Sequence, residues 1–228
     1  MAASKPILLY GWYKSSCTGR LRIALNYKAI PYEYKSVRLM DGEQHGSAHT
    51  ALNPSGTVPV VVDQRLEADG MSFPILQSIA ALEYLEETFP KSPALLPPAS
   101  DALARAKVRT LVNVVASDTQ PRAHRTIVKN IAEFGQSPDD WMKKYLTKGL
   151  LAYETIASKT AGKYSVGDQF SMADVCLLPC IWNAEKAGID FSQMPTIMRV
   201  VRQMNELEAI QKAHWTKQPD TPADLGWY

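Results

Sequence analysis

Residues 6–25 read Pro6-Ile7-Leu8-Leu9-Tyr10-Gly11-Trp12-Tyr13-Lys14-Ser15-Ser16-Cys17-Thr18-Gly19-Arg20-Leu21-Arg22-Ile23-Ala24-Leu25. The opening Pro6–Tyr10 is a short apolar run of the kind a buried strand needs. From Cys17 to Lys28 the apolar positions Leu21, Ala24 and Leu25 fall at helical spacing, with Arg20 and Arg22 interleaved. A strand therefore hands over to a helix here, and the hand-over carries three hydroxyl or thiol side chains, Ser15, Ser16 and Cys17. At a helix start the first N–H groups lack partners and the dipole is positive, so an anion is stabilised there, a thiolate included. A plain N-cap role for Ser15 or Ser16 fits the same spacing.

Moving outward, Tyr32 to Arg38 alternates with period two and reads as a second strand. Val58-Pro59-Val60-Val61-Val62 reads as a third. Asp69-Gly70 marks a turn, from which Phe73 to Leu76 pairs back. Ile79, Leu82, Glu83, Leu85 and Glu86 form an amphipathic helix ending near Phe89-Pro90. The order β-α-β then β-β-α predicts an α/β domain over residues 1–89. Pro90-Lys91-Ser92-Pro93-Ala94-Leu95-Leu96-Pro97-Pro98 holds four prolines in nine residues, which no helix or central strand crosses. Residues 90–99 are therefore read as a linker. Beyond it strand signals stop. Residues 102–131, 141–159, 172–187 and 195–207 read as helices, giving an all-α domain over 100–228. Ser171-Met172-Ala173-Asp174 is a capping box at one helix start. Residues 217–228, with two prolines, read as a surface tail.

The chain has 228 residues and 25.3 kDa, enough for two small domains. Its 46% hydrophobic and 21% charged residues exclude intrinsic disorder as the default. A net charge of +2 leaves no global nucleic-acid footprint. No apolar run approaches the ~20 residues of a membrane helix, and Ile7–Tyr10 is too short for a signal-peptide core. Three cysteines argue against a disulfide scaffold and for a reducing, cytoplasmic setting. Cys176 and Cys180, four apart with no histidine nearby in sequence, read as small buried hydrophobes rather than metal ligands. His45 and His49 read as exposed loop residues, and Trp141 and Tyr145 as core.

Two more places carry polar groups at element starts. In Asn53-Pro54-Ser55-Gly56-Thr57-Val58-Pro59, the Val58–Pro59 junction is a candidate cis bond whose backbone could pair with an extended, peptide-like ligand. An edge-strand proline is the alternative. Gln77-Ser78 opens the helix that follows and suits a carboxylate, with a simple cap as the alternative. Three such ends on one small domain say more than each alone.

Together these features resemble a cytosolic glutathione transferase. Ser15-Ser16-Cys17-Thr18-Gly19-Arg20-Leu21-Arg22-Ile23-Ala24-Leu25 is similar to the Ser-Ser-Cys-x-Trp-Arg-Val-Arg-Ile-Ala-Leu signature of the zeta class, the class of the maleylacetoacetate isomerases. Further matches are Ala51-Leu52-Asn53-Pro54, Glu83 to Glu87, Val166-Gly167-Asp168, Ser171 to Cys176, Asn183-Ala184-Glu185 and Gln218-Pro219-Asp220-Thr221-Pro222. The resemblance spans nearly the whole chain. It implies a thioredoxin-like first domain, a helical second domain forming the second-substrate pocket, glutathione as cofactor, and a homodimer. It further implies that Ser15 donates a hydrogen bond to the glutathione thiolate, with Ser16 and Cys17 beside it. Val58, set by a cis Pro59, would pair with the cysteinyl backbone. Gln77 and Ser78 would hold the γ-glutamyl carboxylate, and Gln44 the glycine end. Gln120 falls where the family lines the electrophile pocket, and Lys186 where it often has an arginine facing an acidic substrate. Three departures stand out. Gly19 replaces the signature Trp, the Val58–Gln77 hairpin is longer than usual, and Arg122-Ala123-His124-Arg125 follows Gln120-Pro121 where the family tends to have amides.

The implied chemistry is within reach of these groups. Lowering a thiol by about two units from ~8.5 needs roughly 2.7 kcal/mol. A hydroxyl bonded to a charged sulfur supplies about 1.5–3 kcal/mol and a helix start about 0.3–1. A thiolate can then add to a cis enone acid, the former double bond can rotate, and expulsion returns glutathione with the trans isomer. Arg122, His124, Arg125 and Lys186 are candidates for holding substrate carboxylates, with a solvated helix face as the alternative. Three competing readings use the same residues: conjugation that consumes glutathione, thiol–disulfide exchange at Cys17, and a non-catalytic binding protein on a borrowed fold.

Overall fold

The computed structural model describes residues 7–69 and 73–223; Gly70 of the expected Asp69-Gly70 turn and the end of the expected tail lie outside them. The chain divides into two compact units, Met1–Pro93 with Glu208–Tyr228, and Ala94–Leu207.

In the first unit a four-stranded mixed sheet has the order β2-β1-β3-β4. β1 (Ile7–Gly11) is central, which is why its apolar run is unbroken. It pairs in parallel with β2 (Tyr32–Ser36) and antiparallel with β3 (Val60–Asp63). β2 is an edge with no fully buried residue, Glu33 and Ser36 being exposed. β4 (Ile75–Leu76) closes the other edge against β3 and is held to two residues beside Pro74.

The helix α1 (Ser16–Tyr27) joins β1 to β2. Every residue from Thr18 to Leu25 is buried, because α1 packs against both α3 (Ser78–Thr88) and α9 (Glu208–Ala213). Gly19, at the place of the signature Trp, is one of these buried positions. The short helix α2 (Ser47–Leu52) is too brief and polar to announce itself in sequence. Its Leu52 packs on Leu8, Val60 and Val62. Below α1, Lys28 is buried and donates to Glu86 Oε2 at 2.8 Å and to the Pro93 carbonyl at 3.0 Å.

The second unit is helical. α4 (Ala102–Asn113) starts on an Asp101 N-cap and continues as a π turn over Val114–Thr119, then breaks at Pro121. The single helix expected over 102–131 is thus two, the second being α5 (Arg125–Ile131). α6 (Pro138–Ala157), α7 (Met172–Lys186) and α8 (Pro195–Asn205) follow. α7 is buried from Met172 to Trp182, and its Ser171–Asp174 capping box is formed as expected. Cys176 and Cys180 lie buried within it. The buried Glu154 of α6 accepts from the N–H groups of Thr196 and Ile197, placing a carboxylate at the start of α8. Leu95 and Leu96 of the proline-rich stretch are buried, and Leu95 accepts from the Met172 N–H at 2.8 Å.

The segment expected as a surface tail departs from that reading. Gln218 is buried, and Asp220 is bonded to the first strand–helix turn and to β2.

Candidate active site

The sheet register brings three separated pieces of sequence to one edge. Tyr10 near the end of β1 faces Val60 at the start of β3, and Val60 faces Leu76 at the end of β4. Just past these positions come Ser15, Val58 and Gln77-Ser78.

Ser15 is the N-cap of α1 and half-buried. Its Oγ accepts from the Thr18 N–H at 3.2 Å. A hydroxyl that accepts at oxygen still has its own proton to donate, so the cap leaves the donor function open. Ser16 is the first residue of the helix, and Cys17, half-buried, the second. The Trp12–Ser15 turn is closed by the Ser15 N–H on the Trp12 carbonyl at 3.0 Å.

Val58–Pro59 is cis, and the ladder begins only at Val60. The approach to Val58 is braced: Asn53 Nδ2 donates to the Thr57 carbonyl at 2.8 Å, and His49 Nε2 lies 2.8 Å from the same oxygen. His49 is buried and engaged, contrary to the expected exposed loop residue; His45 is exposed as expected. Gln77 is exposed, has φ of +67°, and makes no side-chain cap bond. Ser78 is buried and accepts from Arg20 Nη1 at 3.0 Å. Gln44 sits in a single 3₁₀ turn, Glu43–His45, and its Oε1 is buried with no partner among the described residues. A buried acceptor without a donor is costly alone, and suits a ligand N–H.

In the helical unit, Gln120, Arg122 and His124 share the turn after the π segment. Gln120 donates its N–H to the Val115 carbonyl at 2.8 Å. Arg122 stacks over the Tyr145 ring at 5.6 Å, and the Trp141 indole donates to the Arg122 carbonyl at 2.9 Å. Trp141 and Tyr145, expected as core, are half-buried and support this turn. His124 caps α5, its Nδ1 accepting from the Thr126 N–H at 3.4 Å, and burial pushes its ring pKa down. Arg125 opens α5, and Lys186 closes α7 in exposed surroundings.

Residues 14–88 match the family model "Glutathione S-transferase, N-terminal domain" and residues 123–217 the model "Glutathione S-transferase, C-terminal domain". The chain belongs to the glutathione S-transferase family. Relatives in that family include a maleylacetoacetate isomerase of Aspergillus fumigatus, 49% identical over 98% of this chain and 96% of its own length. The maleylacetoacetate isomerase of Rattus norvegicus is 44% identical over 99% of each chain. Among solved structures, a maleylacetoacetate isomerase from Anaeromyxobacter dehalogenans with bound GSH in its active site superposes with a TM-score of 0.86 at 38% identity, over 95% of this chain and 98% of that one.

For this glutathione S-transferase family member, sequence reasoning passed over the groups that brace the site. Arg20 and Arg22 are charges interleaved among the apolar positions of a helix, and that oddity is the available signal. Both are buried, Arg22 with Nε on the Ala213 carbonyl at 3.0 Å and Nη2 on the Tyr13 carbonyl at 3.1 Å. Asp220 lay inside a matched motif with no role attached.

Proposed function

We propose that the chain is a glutathione-dependent cis–trans isomerase of maleylacetoacetate or a closely similar cis enone acid. The observation that carries this reading is the Ser15 hydroxyl, which caps α1 through its oxygen and keeps its proton for a bound sulfur. The convergence of Val58, Gln77 and Ser78 on the same sheet edge, and the orphaned Gln44 acceptor, fit a tripeptide better than a small anion. The names of the full-length relatives point the same way.

When bound, glutathione supplies a thiolate that adds reversibly to the cis double bond. The chain's part is to hold and orient. Ser15 donates to the sulfur, and the start of α1 adds its dipole. Val58 pairs through its backbone with the cysteinyl unit. Gln77 and Ser78 take the γ-glutamyl carboxylate, with Arg20 behind Ser78. Arg122 and Lys186 supply positive charge for an acidic substrate and for charge developing on its carbonyl oxygen. Ser16 and Cys17 flank the sulfur. The second domain forms the substrate pocket.

We read the protein as a cytoplasmic homodimer. Leu66 and Phe73 in the first unit are 60% and 83% exposed, apolar side chains that a second copy would cover.

The deciding experiment incubates the enzyme with glutathione and a cis enone diacid. Formation of the trans isomer with free thiol unchanged supports isomerisation. Stoichiometric loss of thiol would establish conjugation, the reading that the altered residues 119–126 invite. Full turnover in Ser15→Ala together with its loss in Cys17→Ala would move the chemistry to the cysteine.

A further inference from the structure

We propose that Asp220 is a positioning residue for the Ser15 turn, so that the returning C-terminal segment sets how the proposed hydrogen-bond donor meets the sulfur. The inference rests on the reading of Ser15 given above and adds a residue that acts through it.

Asp220 Oδ2 accepts three hydrogen bonds: from the Tyr13 N–H at 3.0 Å, the Tyr34 hydroxyl at 3.2 Å and the Ser36 hydroxyl at 3.2 Å. Tyr13 lies within the Trp12–Ser15 turn. The other side of the same stretch is held by Arg22, whose Nη2 and Nη1 reach the Tyr13 and Trp12 carbonyls. Tyr13 is thus gripped at both its N–H and its C=O, by a carboxylate and a guanidinium. Arg22 is itself tied to the same returning segment through the Ala213 carbonyl at 3.0 Å.

The segment is stiff enough to act as a reference. Gln218 Nε2 donates to the Lys212 and His214 carbonyls at 2.9 and 2.8 Å. Thr221 donates its hydroxyl to the Trp215 carbonyl at 2.6 Å and its N–H to the Gln218 carbonyl at 3.0 Å. Tyr13, buried, packs its ring near Trp215 at 6.5 Å between centroids. Two grips on one turn next to an N-cap, both referred to the same returning segment, are what preorganisation of a donor requires.

Position and charge predict opposite signs. A carboxylate acting only through its charge disfavours a nearby thiolate, so removing it would lower the bound thiol's pKa. Loss of positioning weakens the Ser15 bond and raises it. The test follows thiolate absorbance of bound glutathione against pH in the full-length enzyme, alongside kcat and KM. Asp220→Ala should raise the thiol's pKa by about one unit and lower kcat/KM at neutral pH about threefold, with KM for the enone acid little changed. Asp220→Asn, which keeps an acceptor for Tyr13, should restore most of both. Asp220→Glu keeps the charge but displaces the oxygen, and should behave like Asp220→Ala; it also serves if the alanine variant does not fold. An unchanged or lowered thiol pKa in folded Asp220→Ala or Asp220→Glu would overturn the proposal. Ser15→Ala run beside them separates the cases: if it leaves the thiol unmoved, the Ser15 reading itself fails.

Discussion

Ser15 carries two duties on one oxygen, so a single substitution should register in two independent measurements. Ser15→Ala removes the cap of α1, costing about 1 kcal/mol in thermal or urea unfolding. It also removes the donor to the sulfur, raising the bound thiol's pKa by about one to two units in a thiolate titration. Ser15→Thr should hold both. Gln77 sits at a φ of +67°, a conformation that costs a non-glycine residue about 1–3 kcal/mol and is kept where the surroundings insist on it. Gln77→Gly should therefore show an unfolding midpoint equal to or above the parent, while KM for glutathione rises through loss of the amide. A stability loss instead would mean the side chain supports the fold. The sequence located both residues at helix starts, since capping is a local property. It did not show the positive φ, which the junction of β4 with α3 imposes.

At the scale of elements, the break in the first long helix of the second unit carries most of the contrast. Apolar spacing alone reads as one helix from 102 to 131, because periodicity does not register an extra residue per turn. The π turn at Val114–Thr119 inserts that residue and turns Gln120, Arg122 and His124 out of the helix line. Thr119 anchors it, its buried hydroxyl donating to the Val114 carbonyl at 2.6 Å. α6 can pass because position 149 is glycine: a Cβ there would lie 1.9 Å from Thr119 Oγ1 and 2.6 Å from its Cβ. Gly149→Ala should thus cost about 1–3 kcal/mol by calorimetry. Thr119→Ala should not rescue it, since the alanine keeps the clashing Cβ. π turns concentrate at functional sites, so the same variant should also lower kcat/KM through the displaced 120–124 turn.

For the molecule as a whole, acid stability has an identifiable contributor. Asp63 ends β3 with its side chain 1% exposed, and burial alone would push its pKa up. Hydrogen bonds from Arg65 and from the Tyr84 hydroxyl at 2.7 Å outweigh that and hold it below the usual carboxylate range. A depressed folded-state pKa means stability that is present above the unfolded value of about 3.9 and lost as pH falls through the folded one. Unfolding midpoints should accordingly drop below about pH 4, and Asp63→Asn should be less stable at neutral pH but flatter across that window. Sedimentation should give a species of twice the 25.3 kDa chain mass if the homodimer is right.

What the sequence by itself determined was governed by neighbours along the chain. An unbroken apolar run made a central strand, prolines closed the α/β half, and helical spacing with a capping box built the second half. The Ser15, Val58–Pro59 and Gln77-Ser78 starts were visible for the same reason, because end effects and proline geometry are local. Only the tertiary structure decided which charges could be buried and what they would hold. Arg22 survives inside α1 because the Ala213 carbonyl, 191 residues away, meets its guanidinium, and the Ser15 turn is gripped by Asp220, whose bond to Tyr13 spans 207 residues. Hydrogen bonds over such separations leave no periodic trace in sequence, since they depend on a chain that leaves the sheet, builds a second unit and returns.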